Sequence, residues 1–188
     1  DTLAACRSIA NVAIRVAYGP GGGTDGFKTL DLSPSDLLAQ RGPDLGMRQR
    51  RVFEDLFDAG HSKVLVIGSD LPTLPVHYIE DALSQINDSL VVLGPSEDGG
   101  YYLMGLKAPQ GDDPIPDLFS DIRWSTASAL EDTIHAAERA HLIVSQVNPW
   151  YDIDTVAGLS RLQKDLTTTK HVERAPETAR TLRRITSR

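Results

Sequence analysis

An α/β domain, with a mainly parallel sheet and helices over both faces in three layers, is the fold class this sequence predicts. Three observations carry that prediction. Short apolar runs alternate with segments of helical periodicity, the connections between them are short, and no internal repeat or long low-complexity linker interrupts the 188 residues. A chain of this length buries roughly 70% of its unfolded surface as one unit. Residues 1–188 are therefore read as a single domain whose end, 167–188, is a basic helical tail.

Each element has its own signal. Residues 1–10 read as the later part of a helix, and 12–18 alternates and then runs apolar like a strand. After a glycine-rich loop over 19–26, Leu45, Val52, Leu56 and Phe57 fall at helical spacing across 45–59. Residues 64–67 form a short, fully apolar strand. Pro75 opens a helix to about residue 86, at a position where its missing N–H costs nothing. Apolar strands follow at 90–93 and 101–106. A polar, proline-containing loop over 108–116 leads through Trp124-Ser125-Thr126 to a helix with Leu130, Ile134 and Ala137 on one face. Residues 142–147 read as the last strand, and helices over 156–166 and 176–185 close the chain.

Composition narrows the function. A net charge of −7 argues against a nucleic-acid partner, because neutralising phosphates needs a concentrated basic surface. Acidic loops favour a metal ion instead. The basic residues of the tail (Lys170, Arg174, Arg180, Arg183, Arg184 and Arg188) read as a solvated helix face in preference to a phosphate site. One cysteine, Cys6, excludes an internal disulfide and reads as packing. No apolar run approaches the roughly 18–20 residues that cross a bilayer, and no signal-peptide pattern opens the chain, so a cytoplasmic protein without a membrane partner is expected.

Three acidic loops follow strands, where ligands gather in open α/β sheets. The first is Gly68-Ser69-Asp70-Leu71-Pro72, in which Asp70 either ligates Mg²⁺ or Mn²⁺ or caps the next turn. In the second, Ser96 to Gly105, a buried strand delivers Glu97 and Asp98 to the sheet edge and Gly99 and Gly100 admit a close ligand; the alternative is a plain hairpin with solvated acids. The third is Tyr151-Asp152-Ile153-Asp154-Thr155. Asp152 and Asp154 alternate about Ile153, so an extended segment would turn both to one side, where Asp70 could complete a divalent-metal site. Alternatively Asp154 or Thr155 caps the helix that follows.

Two further segments carry a ligand-binding signal. Gln40-Arg41-Gly42-Pro43-Asp44-Leu45-Gly46 leads into a helix bearing Arg48, which Asp44 caps or which faces an anionic ligand. Gly21-Gly22-Gly23-Thr24-Asp25-Gly26 follows a strand and matches a dinucleotide pattern, but the residues after it are too short and interrupted for a phosphate-facing helix. It reads as a surface loop.

In order, Gln40 to Gly46 with Arg48, Ile67 to Pro72, Leu93 to Leu103, Trp124-Ser125-Thr126 and Tyr151 to Thr155 make a specific set. With these motifs the chain resembles the largely uncharacterised bacterial transferases of glycosyltransferase-A type classed as a domain of unknown function (selenium-domain-associated transferase 1), which are related to molybdenum-cofactor and phospholactate guanylyltransferases. The resemblance covers residues 1 to about 165. It implies a nucleotide-diphospho-sugar transferase fold, with Asp70 and Asp98 catalytic and Asp70, Asp152 and Asp154 at the metal. It implies further that Gln40, Gly42, Asp44, Gly46, Arg48, Glu97, Gly99, Gly100, Tyr101, Trp124, Ser125 and Thr126 face the substrate.

Members of that family begin with a strand and a loop ending in Lys-Thr-Arg-Leu, which this sequence does not contain. A sheet lacking its first strand is therefore expected, with an exposed edge that invites a homodimer. The leading expectation is a nucleotidyl- or glycosyl-transferase that uses Mg²⁺ or Mn²⁺ and a nucleotide or nucleotide-sugar donor. The alternative is a non-catalytic binding protein of the same fold that has lost its phosphate loop.

Overall fold

The computed structural model describes residues 1–188 except 20, 22, 23, 112, 187 and 188. Its elements run α1 (Thr2–Arg7), β1 (Val16–Tyr18), β2 (Leu37–Ala39), α2 (Leu45–Asp58), β3 (Lys63–Ile67), α3 (Val76–Gln85), β4 (Val91–Pro95), β5 (Tyr101–Lys107), α4 (Ala129–Arg139), β6 (Val144–Gln146), α5 (Val156–Asp165), α6 (Thr169–Arg174) and α7 (Pro176–Thr186). β1 and β2 pair in parallel as a small sheet, and the main sheet has the order β3-β5-β4-β6. β4 and β6 are parallel, whereas β5 lies antiparallel between β3 and β4. Three of the four main strands thus share one direction, as the sequence pattern implies. The exception, β5, arises because only a short turn after β4 separates the two, and a short turn forces a hairpin.

The two faces of the sheet carry separate cores. Val91, Leu93, Met104 and Leu106 point to one side, where Phe53 of α2, Leu118, Phe119 and Ala129, Ala136 and Ala137 of α4 cover them. Val92, Leu103 and Tyr102 point to the other, under Leu71, Leu74 and the α3 residues Ile79 and Ala82. Both faces of β4 are buried, so its apolar run is continuous and does not alternate. Cys6 packs against the second core, and its burial pushes the thiol pKa up.

Several boundaries move. The first helix covers only Thr2–Arg7, strand character at 12–18 is confined to Val16–Tyr18, and that at 142–147 to Val144–Gln146. Pro75 is the N-cap of α3 and not its first helical residue. β2 escaped the sequence reading because three residues beside a Ser-Pro-Ser turn carry too little periodicity to register. Of the glycine-rich loop, Pro20, Gly22 and Gly23 lie outside the described residues, as do Ser187 and Arg188 of the tail; Thr24–Phe27 is a single tight 3-10 turn. Among the described residues no helix is long and apolar enough to cross a membrane.

Candidate functional site

Asp70 stands just past β3. The Gly68 N–H donates to the Tyr102 carbonyl at 2.9 Å, extending the ladder with β5 by one step before the chain leaves the sheet. The loop that follows is anchored from below by Leu71, Thr73 and Leu74, all buried. Residues 150–154 reach the same rim from β6. Ser96 and Trp150 form an isolated parallel bridge, in which the Trp150 N–H donates to the Pro95 carbonyl at 3.0 Å and the Glu97 N–H to the Trp150 carbonyl at 3.1 Å. The Tyr102 hydroxyl donates to the Asn148 carbonyl at 3.0 Å and ties the segment to β5.

These anchors bring the Asp154 carboxyl beside that of Asp70. Its pKa is raised, first by that contact, then by desolvation and by the negative charges of Asp70 and Asp98. All three acidic loops therefore meet at one rim. Thr155, not Asp154, caps α5, accepting from the Gly158 N–H at 3.0 Å, so the Asp154 carboxyl is not spent on the helix start and faces Asp70. Asp152 takes another partner, the Ser96 hydroxyl, which donates to it at 3.0 Å. Among the described residues no three of His, Cys, Asp and Glu gather closely enough to hold a metal ion by themselves. Two hard oxygen donors in contact nevertheless suit Mg²⁺ or Mn²⁺, which commonly bind through one or two carboxylates and fill the remaining positions with water and substrate phosphates.

The turn carrying Glu97 and Asp98 is a hairpin, and it is also locked in place. The Ser96 N–H donates to the Gly100 carbonyl at 2.9 Å, and the Gly100 N–H donates to Asp98 Oδ1 at 2.9 Å. Gly99 sits at φ +92°, and a Cβ there would lie 2.2 Å from the Ala127 carbonyl oxygen. The Leu130 N–H donates to the Gly99 carbonyl at 3.1 Å, so the turn is pinned against the start of α4. Only glycine satisfies both the dihedral and the space.

Trp124 links this turn to α2. Its indole meets the Tyr101 ring edge-on at 6.2 Å, and a Cβ on buried Gly46 would lie 2.6 Å from its Nε1. Ser125 adopts φ +59°, and Thr126 Oγ1 donates to the Arg123 carbonyl at 2.7 Å. Gly46 is thus the point at which the Gln40–Arg48 segment joins the rest. Asp44 caps α2 through the Met47 N–H at 2.8 Å, Arg48 Nε donates to the Gly42 carbonyl at 3.2 Å, and the Gln40 N–H extends the small sheet by donating to the Tyr18 carbonyl.

Sequence reasoning missed the residues beneath the acids. Tyr151, buried, donates its hydroxyl to Asp165 Oδ2 at 2.7 Å, and its oxygen lies 3.3 Å from Thr73 Oγ1. Burial, and after it Asp165, pushes the phenol to about 12, so it keeps its proton at neutral pH. The Arg161 guanidinium lies 3.9 Å above the ring and also pairs with Glu97. No local signal marks Thr73, Arg161 or Asp165, because their partners are distant in sequence.

The comparisons agree with this architecture. The crystal structure of a "putative nucleotide-diphospho-sugar transferase" from Desulfovibrio desulfuricans G20 is 31% identical and superimposes with a TM-score of 0.81, over 98% of this chain and 80% of that one. The two share one fold. None of the curated proteins matches the chain. The family described as "Uncharacterized protein conserved in bacteria (DUF2064)" matches residues 2–126, and the chain belongs to that family.

Proposed function

We propose that the protein is a transferase acting on a nucleotide-diphospho-sugar or related nucleotide donor, with Asp70 and Asp154 holding Mg²⁺ or Mn²⁺ at the rim of the sheet. The observation that carries this reading is the contact between those two carboxylates, delivered by separate loops to one point. Two like charges in contact are unfavourable unless a proton or a cation relieves them. The name of the structural relative from Desulfovibrio points to the same donor class.

When bound, the ion would neutralise charge on the donor's phosphates as the leaving group departs. The chain's own part is placement. Asp70 and Asp154 supply ligand oxygens; Asp98, on the locked turn, adds negative charge beside them; and Gly99 and Gly100 keep side-chain bulk from the turn. The Trp124–Thr126 segment borders the turn through Ala127 and forms the flank on which an acceptor or sugar would lie. Positioning and charge neutralisation, and not an acid–base pair, would account for most of the rate.

A thermal-shift screen with nucleoside triphosphates and nucleotide sugars, with and without Mn²⁺, tests the proposal. A ligand at 100 times its Kd adds about 2.7 kcal/mol to stability. Metal-dependent stabilisation by at least one nucleotide, lost in Asp70→Asn, is the expected result. No shift at millimolar ligand would overturn it, and binding without turnover would favour the non-catalytic alternative.

A further inference from the structure

Tyr151 touches both loops that supply the acid pair. It lies three residues before Asp154, and its hydroxyl lies 3.3 Å from that of Thr73, three residues after Asp70. The direction of the hydrogen bonds is determined. The single phenolic proton goes to the Asp165 carboxylate at 2.7 Å, the stronger, charge-assisted acceptor. Thr73 must then donate to the phenolic oxygen. Thr73 is 1% exposed and Tyr151 5%, so water does not compete at this junction. Two neighbours hold the ring: Trp150 stacks against it with centroids 5.4 Å apart, and the Arg161 guanidinium lies 3.9 Å from its centroid while pairing with Glu97 on the hairpin turn. One side chain thereby joins the Asp70 loop, the Asp154 segment, α5 and, through Arg161, the acidic turn.

We infer that Tyr151 is a positioning residue that sets the separation of Asp70 and Asp154 for a divalent cation, through the relay Thr73 to Tyr151 to Asp165. The inference rests on the metal-binding reading above. A two-carboxylate site has no third protein ligand to impose geometry, so its spacing depends on whatever braces the two loops.

The test is Mn²⁺ binding to the whole protein, read by electron paramagnetic resonance of the free ion, with metal-free thermal unfolding alongside to confirm folding. Tyr151→Phe keeps the ring and its stacking while removing the relay; Thr73→Val removes the donor, and Thr73→Ser restores it. Tyr151→Phe and Thr73→Val are each expected to weaken Mn²⁺ binding about tenfold, the usual scale for losing a ligand-orienting contact. Thr73→Val should add little on top of Tyr151→Phe, because both break the same bond, and Thr73→Ser should bind as the wild type does. If Tyr151→Phe binds Mn²⁺ as tightly as wild type while Asp70→Asn does not, the positioning role is overturned and the acid pair stands. If wild type and Asp70→Asn bind Mn²⁺ equally poorly, both readings fall.

Discussion

The carboxyls of Asp154 and Asp70 lie side by side at the rim of the sheet, although one residue precedes α5 and the other follows β3. Their mutual repulsion costs stability when no cation is bound. Asp154→Asn is therefore expected to raise the melting temperature of the metal-free protein at neutral pH. Both groups are near solvent, so the gain should stay below about 1 kcal/mol, or roughly 2–4 °C at this chain length. The same variant should lose stabilisation by Mn²⁺ with nucleotide. Calorimetry in chelator and then in Mn²⁺ reads both effects, and a fall in the metal-free melting temperature would contradict the repulsive contact.

Gly99 admits no side chain. Its φ of +92° and the Ala127 carbonyl at 2.2 Å from a notional Cβ make Gly99→Ala a backbone clash. A cost of more than about 2 kcal/mol is expected, together with weakened ligand binding as the turn shifts from Asp154. Gly100→Ala is the internal comparison: its nearest neighbour is the Asp98 carboxylate at 3.2 Å, a side chain able to give way. Urea unfolding should separate the two variants clearly, and equal costs would refute the packing argument.

The Trp124 loop is braced by an ion pair that reports on pH. Arg123 grips Asp132 through Nε at 2.9 Å and a second guanidinium nitrogen at 2.7 Å, and its own N–H donates to the same carboxylate. This grip lowers the Asp132 pKa from 3.8 to about 2, mainly through the side-chain hydrogen bond. A depressed folded-state pKa favours the fold above the unfolded value, and the benefit disappears as pH falls from about 4 toward 2. Asp132→Asn should flatten stability over that window and leave the slope above pH 5 unchanged. Melting temperature against pH for the two proteins checks it.

Ser96, 6% exposed, spends its hydroxyl on Asp152. Ser96→Ala would leave a half-buried carboxylate one hydrogen bond short, at a cost of about 1–2 kcal/mol. The carboxylate would then be free to swing away from the hairpin. If Asp152 is a structural brace, Ser96→Ala lowers the melting temperature more than it lowers Mn²⁺ affinity; the reverse order would make Asp152 a metal ligand.

What the sequence by itself determined is local. The alternation of apolar runs and helical spacing specified most strands and helices, Asp44 and the Asp154–Thr155 pair marked helix starts, and the three acidic loops announced themselves by following strands. Each depends on residues a few positions apart, whose chemistry and periodicity act on one another directly. What the tertiary structure decided is which loops meet. The reversed β5 in the middle of the sheet, the Thr155 cap that leaves Asp154 for Asp70, the separate partner of Asp152 and the Thr73–Tyr151–Asp165 relay all follow from strand order and register. Those depend on closing long loops and filling two shared cores at once, a global balance that no window of sequence contains.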